Sequence, residues 1–283
     1  SKNKAFKRTR FPQRAFPMKL VGLTAGLALA LMCSSVRVSA ASPVHRTHER
    51  HRALLAPALM PLSENRETVV LLHGLGLNRF AMARLACALQ RDGYRVINLS
   101  YASRDIPLEQ LAADWLPAML RAQNIDTARR LHFVTHSMGG ILLRLYLRDH
   151  TRPHLGRIVM LAPPNHGSEV TDRLSNNPAF RLFTGLNGHR LGTGPDSLPR
   201  QLGPLDADVG IIAGDRSLNP FFSAWIGRPN DGKVSVESTR LAGMRDHVTV
   251  PISHTWLQWR APVIAQIKTY LRSGKFIHTP SSL

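Results

Sequence analysis

The stretch LHFVTHSMGGILLRLYLRD, residues 131–149, decides how this chain is read. Its first six residues form a short, largely apolar run of the kind that makes a buried strand. From Met138 onward the apolar residues Ile141, Leu142, Leu145 and Leu147 follow a helical pattern. Between the two lies Thr135-His136-Ser137-Met138-Gly139-Gly140. A serine on such a sharp strand-to-helix turn sits in a strained conformation that lifts its hydroxyl above the sheet. The turn packs closely, so it needs small residues two before and two after the serine. Gly139 meets the second demand, whereas the branched Thr135 departs from the usual glycine and must be accommodated. The helix beginning at Met138 also aims its N-terminal dipole and free N–H groups at developing negative charge. Ser137 is therefore the expected nucleophile; the bland alternative is a Ser-Gly turn without chemistry.

Outward from this segment, apolar runs alternate with helical patterns. Residues 68–73 (TVVLLH), 94–99 (YRVINL), 131–136, 157–162 (RIVMLA), 208–213 (DVGIIA) and 246–251 (DHVTVP) read as strands covered on both faces. Helices are expected near 79–91, 107–122, 138–149 and 261–272, the last with Val263, Ile264, Ile267, Tyr270 and Leu271 on one face. Such alternation, with short connections and right-handed crossovers, gives an α/β fold with a doubly wound, mostly parallel six-stranded sheet. Two segments break the rhythm. Residues 168–205 are polar and punctuated by Pro178, Pro195 and Pro199, and read as a long irregular, lid-like insertion. Residues 217–229 carry Phe221, Phe222, Trp225 and Ile226, for which core packing is preferred over a pocket wall.

A serine hydroxyl is a weak nucleophile until an imidazole takes its proton, and the imidazole needs an orienting carboxylate. Of thirteen histidines, His254 follows the last strand and precedes the last helix, on the same sheet edge as Ser137. His247 falls within a strand, His278 in the tail, and His166 precedes the expected acid in the order Ser–Asp–His. Asp231, in Asn230-Asp231-Gly232-Lys233, is the expected acid because Gly232 permits a tight turn; Asp215 is the rival. His73-Gly74-Leu75-Gly76 ends the first strand, and the Leu75 and Met138 amides are the expected oxyanion donors, each worth roughly 3–4 kcal/mol at the transition state. His73 itself is expected to brace its loop.

The net charge is +19, but residues 1–40 contribute eight basic residues and no acid, so the remainder carries 29 basic and 18 acidic residues. That balance favours anionic surfaces such as lipid headgroups. Without zinc-ligand cysteine pairs or an aromatic-basic signature, nucleic acid is not the expected partner. Met18-Lys19, the uncharged run 20–36 and Val38-Ser39-Ala40 read as an export signal cleaved before Ala41, with a retained membrane anchor as the alternative. Residues 1–40 are thus assigned to signal or anchor, 41–66 to an Arg-, His- and Pro-rich linker, and 67–283 to the folded domain. The three linker histidines, His45, His48 and His51, fit a solvated segment better than a metal site. Cys33 is not expected to be lipidated, and Cys87 reads as a packing residue of the 79–91 helix.

With HGLG at 73–76, THSMGG at 135–140, APPNHGSE at 162–169, NDGKVSVES at 230–238 and SHTW at 253–256, the chain resembles the lipase-like branch of the α/β-hydrolase superfamily, of bacterial secreted type. The resemblance covers residues 69–271 and implies cleavage of acyl or lipid esters through an acyl-serine, with no metal or organic cofactor. It leaves open acyl transfer to alcohols, thioester cleavage, and an inactive, membrane-tethered scaffold.

Overall fold

In a computed structural model, residues 66–125 and 128–278 are described. The expected export signal, most of the expected linker and the end of the tail lie outside them. The chain divides into two units, Ser1–Ala58 and Leu59–Leu283, and everything below concerns the second.

Six parallel strands run β1 (Thr68–Leu72), β2 (Arg95–Leu99), β3 (Leu131–His136), β4 (Leu155–Leu161), β5 (Val209–Gly214) and β6 (Asp246–Val250). Their order across the sheet is β2-β1-β3-β4-β5-β6. Every pairing is parallel, so the mostly parallel expectation becomes wholly parallel among the described residues. The chain leaves β1 in one direction to make β2 and returns on the other side to make β3. At such a switch point the loops after β1 and β3 diverge and leave a crevice at the carboxyl ends of the strands.

Strand alternation sends side chains to two cores. Val70, Leu72 and Phe133 pack with Leu108, Leu111, Leu116, Ile141 and Leu145 on one face. Val69, Leu71 and Val134 pack with Leu85, Leu89, Val263, Ile267 and Leu271 on the other. The sheet is thus sandwiched between α1 (Ala83–Arg91) and the last helix, α9 (Ala261–Ser273), on one side and, on the other, α2 (Leu108–Gln110), α3 (Leu116–Ala122) and α4 (Met138–Asp149). The expected 107–122 helix is interrupted by a π turn at Leu111–Trp115, directly before Pro117, whose missing N–H cannot hold an α-helical bond. Cys87 is half-buried on α1 rather than fully packed.

Residues 168–205 depart from the irregular insertion expected. They fold as α5 (Glu169–Leu174), α6 (Pro178–Gly188), a 3-10 turn at His189–Leu191 and α7 (Leu198–Gln201). Pro178 and Pro199 sit in the first turns of helices, where a missing N–H costs nothing, so they start helices instead of breaking them. Ser168 and Asn177 cap α5 and α6 with side-chain oxygens.

Two buried polar side chains fasten this segment down. Asn187 accepts from the Leu108 amide at 3.1 Å and donates to the Ser103 and Ile106 carbonyls at 2.9 and 2.8 Å. Arg144 of α4 donates to the Asn165 carbonyl and side chain, both at 3.1 Å, and to the Pro199 and Gly203 carbonyls at 3.3 and 2.7 Å. Burial pushes the Arg144 guanidinium down to about 10, and carbonyl dipoles rather than a carboxylate compensate its charge. Among the described residues no helix is long and apolar enough to cross a membrane.

Candidate active site

Ser137 follows β3 directly and has φ 52° and ψ −124°, a conformation that L residues rarely adopt. The strain persists because the turn is held on both sides. Its amide donates to the Leu161 carbonyl at 2.8 Å, and its carbonyl accepts from the Gly140 amide at 2.9 Å. Gly139 has no freedom to carry a side chain: a Cβ there would lie 2.6 Å from the Leu72 carbonyl oxygen and 2.8 Å from that of His73. Both are backbone atoms of the first strand and its exit, so α4 would have to move. Gly139→Ala is expected to lower stability by about 1–3 kcal/mol, read as a fall in the urea midpoint at unchanged slope.

Thr135 is accommodated by a residue the sequence pattern did not single out. Gly140 leaves open the space beside the Thr135 hydroxyl; a Cβ at residue 140 would come within 3.3 Å of that oxygen and 3.1 Å of Pro163. The Thr135 side chain is fully buried, and its hydroxyl has no hydrogen-bond partner among the described residues.

His254 opens a 3-10 turn (His254–Trp259) after β6. Its imidazole lies between the two expected partners. The Ser137 hydroxyl and His254 Nε2 are 2.9 Å apart, and His254 Nδ1 is 2.7 Å from Asp231 Oδ2. An ionised carboxylate only accepts, so Nδ1 carries the proton, and Nε2 is left as the acceptor of the serine O–H. Asp231 and His254 are almost wholly shielded from solvent, while Ser137 is half-buried. The other carboxylate oxygen of Asp231 accepts from the Lys233 and Val234 amides at 3.0 and 2.8 Å. Gly232, at φ 94°, makes that tight turn available, as its place after Asp231 suggests. The Asp231 carbonyl also accepts from the His254 amide at 3.1 Å, which ties acid and base together through the backbone.

Asp215 is exposed and sits outside this arrangement, its amide bound to the Val250 carbonyl at 3.1 Å. His166 is exposed too. His247 lies within β6, where burial lowers its imidazole to about 4. His278 contacts Asp246 at 2.9 Å.

The loop after β1 closes over the other side of the serine. His73 stacks on Tyr101 with ring centres 4.1 Å apart, and its Nε2 accepts from the Tyr101 amide at 3.2 Å. The Tyr101 hydroxyl donates to the His73 carbonyl at 2.5 Å, and the Gly76 amide donates to the Ser103 hydroxyl at 3.0 Å. His73 is a buried brace, and desolvation holds its imidazole below the ordinary range. Leu75 lines the same cavity as Ser137, and Met138 is the first residue of α4.

His136 stands in the quoted motif beside the serine, but its position there gives it no role. It is buried beneath His254, ring centres 5.0 Å apart, and its Nε2–H donates to the His254 carbonyl at 3.0 Å. Burial, then the neighbouring His254, keeps its imidazole well below the ordinary range and so neutral at pH 7.

These groups open onto a cavity of about 260 Å³. Its walls come from the β1 exit (Leu75, Leu77), from Val170, Leu174, Phe180, Phe183 and Leu191 in the helical insertion, and from Phe222 of α8 (Pro220–Ile226). The expectation of core packing for the aromatic segment holds for Ile226 alone. Phe222 is a pocket wall, while Phe221 and Trp225 are exposed, because α8 sits on the rim instead of against the sheet. Among the described residues no group of three or more His, Cys, Asp or Glu is placed to hold a metal ion.

Comparison with known proteins follows the same lines. The sequence profile described as the alpha/beta hydrolase family matches residues 69–279. Among curated proteins no sequence matches the chain. Of solved structures, a lipase of Bacillus licheniformis, BlEst2, is similar in its propeptide form, with a TM-score of 0.57 and 21% identity over 76% of this chain and 51% of that one. The mature form of that lipase gives 0.57 and 20% over 75% and 93%. Phospholipase PlaB from Legionella pneumophila gives 0.51 and 20% over 62% of this chain and 45% of its own length. This chain therefore spans about half of the propeptide form and under half of the phospholipase. At such identities the likeness is one of fold.

Proposed function

We propose, starting from the fact that this chain belongs to the alpha/beta hydrolase family, that it is a serine hydrolase of carboxylic esters acting through an acyl-serine intermediate. One observation carries the reading. An unbroken line of hydrogen bonds, 2.7 Å from Asp231 to His254 and 2.9 Å from His254 to Ser137, ends at a strained serine facing an apolar cavity.

In this reading Ser137 Oγ attacks the ester carbonyl carbon as its proton passes to His254 Nε2. The carbonyl electron pair moves onto oxygen, where the Leu75 and Met138 amides hold it beside the N-terminus of α4. The C–O bond to the alcohol then breaks, and the imidazolium returns its proton to the departing oxygen. Water attacks the acyl-serine, again losing a proton to His254, and release of the acid restores the serine. Asp231 stays ionised throughout and stabilises the imidazolium. The two amides on its other oxygen prevent it from rotating away. His136, bound to the His254 carbonyl, supports the base from below.

The substrate reading is a small acyl or lipid ester. At about 260 Å³ the cavity falls just below the ~300–1,000 Å³ typical of ligand sites, which favours short acyl groups. The helices that wall it also expose Leu182, Phe183, Leu186, Phe221 and Trp225, so with the basic charge of the chain an association with anionic lipid surfaces belongs to the same proposal. So does export, for which the support is the sequence of residues 18–40. The helical insertion would then act as a modest lid.

The test is labelling with a fluorophosphonate probe, followed by a screen of p-nitrophenyl esters of increasing chain length. Labelling that vanishes in Ser137→Ala, with turnover greatest at short chains, is the expected result. A wild-type chain that neither labels nor hydrolyses any ester would overturn the reading.

A further inference from the structure

Among the described residues, the cavity that holds Ser137 and His254 is lined by one lysine or arginine, Lys233. We propose that Lys233 is an anion-binding residue of this site, and that the substrates are carboxylic esters bearing a second, negatively charged group. The inference rests on the esterase reading and narrows its substrate class.

The backbone of Lys233 is held on both sides. Its amide donates to Asp231 Oδ1 at 3.0 Å, and its carbonyl accepts from the Ser168 hydroxyl at 2.6 Å. The root of the side chain is thereby fixed relative to the acid of the site. The ammonium group, by contrast, has no hydrogen-bond or ion-pair partner among the described residues. The one opposite charge acting on it is that of Asp231, whose oxygens are already taken by His254 and by two amides. Among the described residues, no Asp or Glu lines the cavity.

The rest of the lining decides what such a charge can do. Leu77, Val170, Phe180 and Phe222 line the cavity beside the Ser168, Thr171, Thr184 and Thr255 side chains, and Lys233, an exposed residue, sets a cationic side chain at its rim. Lys233 lines the same cavity as His136 and Ser137, and its positive charge is one of the influences that hold the His136 imidazole low. An incoming anion would gain a charge-assisted hydrogen bond from a cation that no protein carboxylate already holds. A wholly neutral ester offers that cation no charge to pair with. The shared chemistry is a single anionic group, either at the far end of the acyl chain or on the alcohol.

Two substrate pairs distinguish those sources. The mono-4-nitrophenyl ester of adipic acid against 4-nitrophenyl hexanoate places the charge on the acyl side. 4-Carboxyphenyl butyrate against phenyl butyrate places it on the alcohol side. The readout is the ratio of kcat/KM, anionic over neutral, so that each variant carries its own reference. For a partly exposed cation, Lys233→Met is expected to lower that ratio about tenfold in one pair. Lys233→Arg should keep most of it, and Lys233→Glu should lower it further. Binding supplies a readout independent of turnover: in the Ser137→Ala chain, calorimetric affinity for monomethyl adipate should weaken about tenfold on adding Lys233→Met, relative to dimethyl adipate. Ratios within twofold of wild type in both pairs, with unchanged relative affinity, would overturn the proposal while leaving the esterase reading intact. Loss of selective anion binding on Lys233→Met, in a chain whose wild type turns over no ester, would overturn the esterase reading and with it the substrate class, while keeping Lys233 as the anion-binding residue.

Discussion

Ser137→Ala should reduce kcat for a short-chain p-nitrophenyl ester by roughly 10⁴-fold or more, with little change in the urea midpoint. The magnitude follows from what the hydroxyl does. Removing it deletes the only bond-forming atom of the proposed reaction, and each factor of ten in rate corresponds to about 1.36 kcal/mol of barrier. Whatever turnover persists would come from water attacking an ester that still sits against the Leu75 and Met138 amides. Stability should barely move, because Ala keeps the Cβ and inherits the same φ of 52°. Ser137→Gly separates the two roles: it should be equally inactive but more stable, by on the order of 1 kcal/mol, because glycine adopts positive φ without strain. Comparing kcat and the denaturation midpoint across the three proteins checks both statements. Turnover by Ser137→Ala within tenfold of wild type would mean that the nucleophile lies elsewhere.

How much of this was legible in the sequence varied with the physics of each part. The strands were readable because burial on both faces demands continuous runs of Val, Ile and Leu, and β3 occupies Leu131–His136 as expected. The ends of the sheet were also readable in outline, since the half-exposed β6 still begins at Asp246. The insertion was misread because proline was weighed as a breaker. Its effect depends on position in the helix, and Pro178 and Pro199 occupy the first turn. The aromatic segment was misread for a related reason: the pattern of α8 shows that one face is apolar, but not whether that face meets the sheet or a cavity.

At the site, Asp231 could be preferred over Asp215 because Gly232 announces a turn that presents a carboxylate, and Asp215 indeed remains in solvent. His136 and Lys233 carried no such announcement. A histidine that acts by donating to the carbonyl of residue 254, 118 positions away, leaves no trace in local spacing. Lys233 reads as an ordinary loop lysine until the fold shows that the loop borders the cavity. Gly140 lay within the quoted motif, yet its value emerges only beside the oversized Thr135 that it accommodates.

The choice between the two acids yields the second large effect. Asp231→Asn should lower kcat/KM by about 10⁴-fold, the scale on which a serine–histidine pair responds when its base is held in the wrong tautomer. The reason is geometric. One carboxylate oxygen faces the N–H of His254 at 2.7 Å, and the other faces two backbone N–H groups at 3.0 and 2.8 Å, so both positions require an acceptor. An asparagine has one acceptor and one donor to place there. If its oxygen stays with the two amides, its NH₂ points at Nδ1, which must then give up its proton. The proton moves to Nε2, and the imidazole can no longer accept from Ser137. If the amide is turned round, two backbone donors confront an NH₂, and the Asp231–Val234 turn loosens. Either way activity falls, and in the second case the denaturation midpoint falls with it. Asp215→Asn is the matched control, because that exposed carboxylate touches none of these groups, and its kcat/KM should stay within about twofold of wild type. The opposite pattern, with turnover lost at 215 and kept at 231, would reassign the acid and require the loop after β5 to move to reach His254.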